Sequence, residues 1–160
     1  MLFRSRAQPK GDRLCPAHIG GKNWEPSAYN PRLNLLYIPG IEGCNFVETV
    51  EQKDFADQGG PVKPRDRFSG GGTRTPERLY GSLKALDPAT GETKAREKLE
   101  YPNYSGALAT AGNLVFLGHS DGEFTAHEAR TAKQVWSFNA GTGINAPAVS
   151  YSVGGKQYVA

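Results

Sequence analysis

The chain reads as short alternating runs of apolar and polar residues broken by polar turns. "GSLKALDPATGETKAREKL" begins at Gly81 and "GEFTAHEARTAKQVWSFNA" begins at Gly122, an offset of 41 residues. In that register Gly81 meets Gly122, Ala85 meets Ala126, Asp87 meets Glu128 and Thr90 meets Thr131. Each copy predicts a short alternating strand, a polar turn and a second strand. The stretch ahead of each copy also recurs. "NWEPSAYNPRLNLLYIP", "NYSGALATAGNLVFLG" and "INAPAVSYSVGGKQYVA" share one outline: Pro or Gly, then small and apolar residues, a turn, and an apolar strand. The final slot holds Leu35-Leu36-Tyr37-Ile38, Leu114-Val115-Phe116-Leu117 and Gln157-Tyr158-Val159, which suit buried strands.

Four short strands in a period of roughly 40–45 residues make one blade of a β-propeller. The turn chemistry agrees. "DPATGE" supplies a local acceptor, a fixed φ and a glycine, and "HSDGEF" places Asp121-Gly122 between two strands as a hairpin signal. The predicted fold is all-β, a partial β-propeller of about two and a half four-stranded blades. Residues 23–99 form the first, 103–139 the second, and 144–160 the opening half of a third. The first carries an insertion at about 40–79, rich in Gly, Pro and charge, that reads as a long loop. Residues 1–14 show no periodicity and read as a tail, with the propeller segment running over 15–160. A propeller closes with about four to eight blades, so this arc leaves open sheet edges. The chain is therefore expected to be a piece of a larger protein, an expectation its ending in the apolar "KQYVA" supports.

Composition narrows the picture further. With 20 Gly, 11 Pro and 38% hydrophobic residues, the chain is turn-rich and not a helical bundle. The net charge of +3 is spread out and makes no case for nucleic acid; the Lys63–Arg78 basic patch reads as a solvated loop. No apolar run approaches the ~18 residues of a membrane span, and "MLFRSRAQPKGDRL" lacks the apolar core of a signal peptide. Cys15 and Cys44 lack metal-ligand spacing. They are either two free thiols or one disulfide closing a loop of about 30 residues.

The candidate chemistry lies at the lead-ins to the innermost strands. Asn23-Trp24, Asn103-Tyr104 and Ile144-Asn145 share one register of the repeat, and in a propeller those positions ring the mouth of the central channel. Amides donate and accept in fixed directions and large rings offer a stacking face, which suits a planar ligand bearing carbonyls. Gly20-Gly21 and "GTG" at 141–143 allow close backbone approach. The competing reading makes Trp24 and Tyr104 core aromatics and the asparagines turn residues. Trp136 ends an outer strand and reads as packing between blades. His18 and His119 are proton-transfer candidates, against the reading that a lone loop histidine is exposed.

"CPAHIGGKNWEP", "LYGSLKALDPATGE", "LATAGNLVFLGHSDG" and "FNAGTGINAP" together resemble the C-terminal blades of quinoprotein alcohol dehydrogenases, which use pyrroloquinoline quinone (PQQ), the ethanol dehydrogenase type above all. The resemblance runs over 15–160 and implies an eight-bladed parent. Each blade of that family tends to carry an Ala-x-Asp-x-x-x-Gly-x-x-x-Trp docking motif. Here one copy keeps Ala85, Asp87 and Gly91 but has Ala95, and the other keeps Ala126 and Trp136 but has Glu128 and Ala132. The resemblance implies that Asn23 and Trp24 bind PQQ, with Tyr104 and Ile144 beside it, and that Cys15 and Cys44 are bridged. It also implies a periplasmic enzyme that oxidises primary alcohols, binds calcium or a lanthanide, and passes electrons to cytochrome c. The catalytic Asp and the metal ligands of the family fall in blades outside this sequence, so the segment alone is expected to be inactive. The alternative is a non-catalytic propeller that scaffolds protein interactions, which needs no convergent amide and ring at the channel mouth.

Overall fold

The computed structural model describes residues 11–47 and 74–160, which divide into two compact units. Thirteen strands and no helix occur among the described residues. The smaller unit draws its described residues from 11–18, 43–47 and 74–78. There β1 (Asp12–Leu14), β4 (Asn45–Val47) and β5 (Arg74–Pro76) form an antiparallel sheet in the order β1-β4-β5. The Cys15–Cys44 disulfide joins the end of β1 to the chain entering β4, with Cα atoms 4.4 Å apart. Arg13 adds a two-pronged ion pair to Glu77 at 2.5 and 2.8 Å. The Ala17 N–H donates to the Gly43 carbonyl at 3.0 Å and the Glu77 N–H to the Cys44 carbonyl at 3.0 Å.

This departs from the sequence reading at two places. Residues 12–14, expected in a tail, are a strand paired with 45–47, which pairs in turn with 74–76, both expected in a long loop. The pairing spans the sequence from 12 to 76 and each strand is three residues long, so no local alternation announces it. Residues 1–10 and 48–73, the rest of the expected tail and insertion, lie outside the described residues.

The larger unit holds the repeats. The first blade contains β2 (Ala28–Asn30), β3 (Leu35–Glu42), β6 (Tyr80–Leu86) and β7 (Thr93–Leu99), paired in that order and antiparallel. The second contains β8 (Ala107–Ala109), β9 (Leu114–Gly118), β10 (Glu123–Glu128) and β11 (Gln134–Asn139). A hairpin of β12 (Ser150–Val153) and β13 (Lys156–Val159) follows. The 41-residue register survives in detail: the third strand of each blade slips at Ala85/Leu86 and at Ala126/His127. The next turn is also the same. Asp87 Oδ1 accepts the Ala89 N–H, and Glu128 accepts the Arg130 and Thr131 N–H groups. Gly91 and Ala132 both take positive φ and donate N–H to the residue 87 and 128 carbonyls. The longer Glu128 side chain thus does the work of Asp87, and Ala132 accepts the left-handed backbone that glycine adopts freely.

The core lies between the two blades. Leu35, Tyr37, Leu83, Ala85 and Leu99 from the first meet Ala107, Val115, Leu117, Ala129 and Ala132 of the second. Tyr37, fully buried, donates its hydroxyl to the Ala129 carbonyl at 2.9 Å, and burial pushes its phenol pKa up. On the other face of the second blade Phe116 stacks on Phe124 at 5.7 Å, and Trp136 stacks on Phe138 at 6.3 Å and meets Phe124 edge-on at 6.5 Å. Trp136 is therefore one ring in an aromatic row along its own sheet.

A buried polar chain runs through the second blade. His127 Nδ1 lies 2.8 Å from the Ala132 carbonyl, which only accepts, so Nδ1 carries the proton. His127 Nε2 then accepts the Thr125 hydroxyl proton at 2.9 Å, and that oxygen accepts from His119 Nε2–H at 2.7 Å. His119, read as an exposed loop residue, is instead buried, because Thr125 and His127 face the same side of β10 and take its ring inward. Burial pushes both imidazoles below their ordinary 6.5, against the pull of Asp121 and Glu123 on His119 and of the Ala132 carbonyl and Glu97 on His127. A base with a depressed folded pKa adds stability that is complete above 6.5 and is lost as pH falls through the folded value. Thermal midpoints should therefore drop between pH 7.5 and pH 5. His127→Phe should flatten that slope, whatever it does to the midpoint at pH 7.5; an unchanged slope would contradict the assignment.

Candidate functional site

Three lead-in segments meet along one end of the larger unit. The first, residues 20–27, rests on the end of β3: the Ile41 N–H donates to the Gly21 carbonyl at 2.9 Å. Within it, Lys22 Nζ donates back to the Asn23 carbonyl at 3.1 Å and also to the Glu25 carbonyl. Glu25 is buried at 2% exposure, and its Oε2 accepts the Asn23 N–H at 3.1 Å. The Asn23 side chain is exposed and its amide has no hydrogen-bond partner among the described residues. The Trp24 indole is 63% exposed.

The second lead-in is built differently. Asn103 is buried, its Oδ1 accepting the Gly106 N–H at 2.9 Å and its Nδ2 donating to the Gly118 carbonyl at 2.9 Å. Ser105 Oγ is bonded to the same Gly118 peptide groups. Asn103 is thus a turn residue, as the competing sequence reading had it, while Asn23 is free. Tyr104, between Asn103 and Ser105, is half-buried. The third lead-in carries Ile144, half-buried, whose N–H donates to the His119 carbonyl at 2.9 Å.

Two glycines let these segments touch. The Ala107 N–H donates to the Pro26 carbonyl at 2.9 Å, and any Cβ at Gly106 would collide with the Pro26 ring; Gly106 also sits at φ +89°. A Cβ at Gly118 would collide with Ile144 and lie 3.3 Å from Ser105 Cβ. Segments 23–26, 103–106 and 144 therefore form a continuous arc, Pro26 against Gly106 and Ser105 and Ile144 against Gly118. His18, the other histidine considered, belongs to the smaller unit, exposed, with its N–H on Asn45 Oδ1 at 2.6 Å. The sequence reading passed over Glu25. Its signal was present: a carboxylate between an aromatic and a proline in a glycine-led turn has backbone N–H groups within reach.

Successive four-stranded antiparallel sheets, packed face to face with their first strands led in along one side, define a sector of a β-propeller. Residues 74–159 match the family model described as "PQQ: Glucose/ethanol/alcohol dehydrogenase, beta-propeller domain". The chain belongs to this family. It is 38% identical over 150 residues to the quinoprotein alcohol dehydrogenase PedE of Pseudomonas putida, covering 91% of this chain and 22% of that protein. It is 35% identical over 154 residues to a quinoprotein ethanol dehydrogenase of Pseudomonas aeruginosa, covering 94% of this chain and 23% of that protein. Among solved structures, the quinohemoprotein alcohol dehydrogenase of Comamonas testosteroni superposes with a TM-score of 0.79 at 30% identity, over 99% of this chain and 24% of that one. The chain thus spans less than a quarter of the length of these relatives.

A flat ligand bearing carbonyls can use an aromatic face and an unbonded amide, and Trp24 and Asn23 offer these groups on adjacent residues. No group of three or more His, Cys, Asp or Glu among the described residues is arranged to hold a metal ion. The arc depends on the missing side chain at Gly118. Gly118→Ala should destabilise the unit by about 1–3 kcal/mol. It should also raise hydrogen exchange at the Ile144 amide, read by mass spectrometry of the peptide that contains it. Unchanged protection there would show that Ile144 does not rest on this glycine.

Proposed function

We propose that this chain supplies one wall of the PQQ site in a quinoprotein alcohol dehydrogenase of the ethanol dehydrogenase type. The observation that carries the reading is the contrast within the repeat: the Asn23 amide is free and next to an exposed indole, whereas the equivalent Asn103 is fully bonded. A free amide on an otherwise tightly bonded lead-in has a use if a ligand completes it.

In this reading Asn23 hydrogen-bonds a quinone carbonyl, Trp24 offers its ring face, Tyr104 borders the coenzyme, and Ile144 lies against it from the third lead-in. When bound, PQQ supplies the electron acceptor for oxidation of a primary alcohol to an aldehyde. This chain's part is orientation and exclusion of water: Trp24 and Ile144 dry one side, and Asn23 fixes the in-plane direction of the ring. The general base and the ligands of a calcium or lanthanide ion come from other blades, so the segment is inactive by itself. Electrons then pass to a cytochrome c, and the enzyme works in the periplasm. The naming of a relative as a quinohemoprotein, the family membership and the Cys15–Cys44 bridge support this setting. No described helix is long and apolar enough to cross a membrane.

PQQ titrated into the apo form of the full-length protein, with calcium present, tests the assignment. Loss of one hydrogen bond at Asn23→Ala should weaken binding about 3- to 10-fold. Loss of the ring at Trp24→Ala should weaken it by about 10-fold or more. Wild-type affinity in both variants would mean that the quinone lies elsewhere or that the propeller is a scaffold.

A further inference from the structure

Asn23 is unusual in how its backbone is held. Most of the larger unit's peptide groups pair with other peptide groups, in ladders or turns. Both peptide groups of Asn23 are instead held by side chains of its immediate neighbours. Its N–H is bonded by Glu25 Oε2 at 3.1 Å, and its carbonyl by Lys22 Nζ at 3.1 Å. Lys22 also bonds the carbonyl of Glu25, closing the loop on itself. Glu25 makes this clamp from inside the protein, where its other oxygen, Oε1, has no hydrogen-bond partner among the described residues.

A buried carboxylate with one oxygen unsatisfied is a costly arrangement. A turn that needed only to reverse the chain would be satisfied by an exposed Asp or Asn acceptor, as Asp87 and Glu128 serve their turns. Burial of Glu25 has one further effect: it makes the acceptor immobile. The peptide of Asn23 is thereby held on both sides, which fixes the direction of its Cα–Cβ bond and leaves only the side-chain torsions to be set. The clamp lies within the four residues, 22–25, that separate the Gly21 anchor from the Pro26 contact with the second blade.

We infer that Glu25, with Lys22, is a positioning residue: it fixes the backbone of Asn23 so that the side-chain amide meets the quinone carbonyl already aligned. This rests on the reading that Asn23 faces the quinone. It adds a residue that never touches the coenzyme but sets the affinity of one that does, by removing the ordering that binding would otherwise require.

The test uses the full-length protein, with two readouts. One is hydrogen exchange of the Asn23 amide in the apo form; the other is the dissociation constant for PQQ in calcium-containing buffer. Glu25→Ala should speed Asn23 exchange at least about 10-fold and weaken PQQ binding about 10-fold. Glu25→Gln, which keeps an acceptor oxygen, should stay within about threefold of wild type in both. Should Glu25→Ala prove too unstable, Lys22→Met carries the same test from an exposed side chain. It should weaken PQQ binding about threefold without moving the thermal midpoint. Faster Asn23 exchange in Glu25→Ala at unchanged PQQ affinity would overturn the inference, and so would a Glu25→Gln protein as impaired as Glu25→Ala. Unchanged affinity in Lys22→Met would do the same. In those cases a weakened Asn23→Ala protein would leave the site assignment standing, whereas wild-type affinity in Asn23→Ala would remove the site itself.

Discussion

A four-stranded sheet has two faces, and in this chain an inner face is buried only by the next sheet. That constraint organises the larger unit. Tyr37, Leu83 and Leu117 are fully buried because the first blade lies on the second, and the Tyr37 hydroxyl finds its acceptor on the far side of that seam, at Ala129. A phenol buried without that carbonyl would cost about 1–3 kcal/mol, so the hydrogen bond selects one blade spacing out of the many that apolar contact alone would allow. The spacing then sets how near successive lead-ins come. Pro26 reaches Gly106, and Ile144 reaches Gly118, only because those two positions lack side chains. The site is a consequence of the seam.

Much of this was legible in the sequence because it is local and periodic. The 41-residue offset paired Ala85 with Ala126 and Asp87 with Glu128, and the structure places each pair at the same bulge and the same turn. The docking motif looked degraded at Glu128 and Ala132, yet geometry tolerates both, since Glu reaches the same N–H groups as Asp and alanine pays only a modest penalty at positive φ. Cys15 and Cys44 were a pair only by resemblance, and the structure joins them. What failed to show was non-local. The β1-β4-β5 sheet links residues 12 and 76 through strands too short to alternate, and the contacts that tie it, a disulfide and an exposed ion pair, leave no period.

The histidines illustrate a subtler limit. His119 follows a strand and precedes Asp121-Gly122, the signature of an exposed turn. It is buried because Thr125, six residues later on the returning strand, offers a hydroxyl already tied to His127. Turn chemistry predicted the backbone correctly and the side chain wrongly. The alternation Thr125-x-His127 was visible, but two inward polar residues on a strand have meaning only when their third partner is known.

The same logic separates Asn23 from Asn103. Repetition made them equivalent, and repetition alone would assign both to structure or both to a ligand. Asn103 lies where Ser105 and the Gly118 peptide surround it, so every amide atom has a partner inside the protein. Asn23 precedes a buried carboxylate, not a serine, and that carboxylate takes the backbone N–H while leaving the side chain alone. Replacing the local partner thus changes whether the amide is bonded without changing the strand order of the sheet that it leads into. A repeated lead-in can therefore present an asparagine bonded within the protein in one copy and an unbonded one in another, because the residue two positions on decides whether the amide is taken up locally.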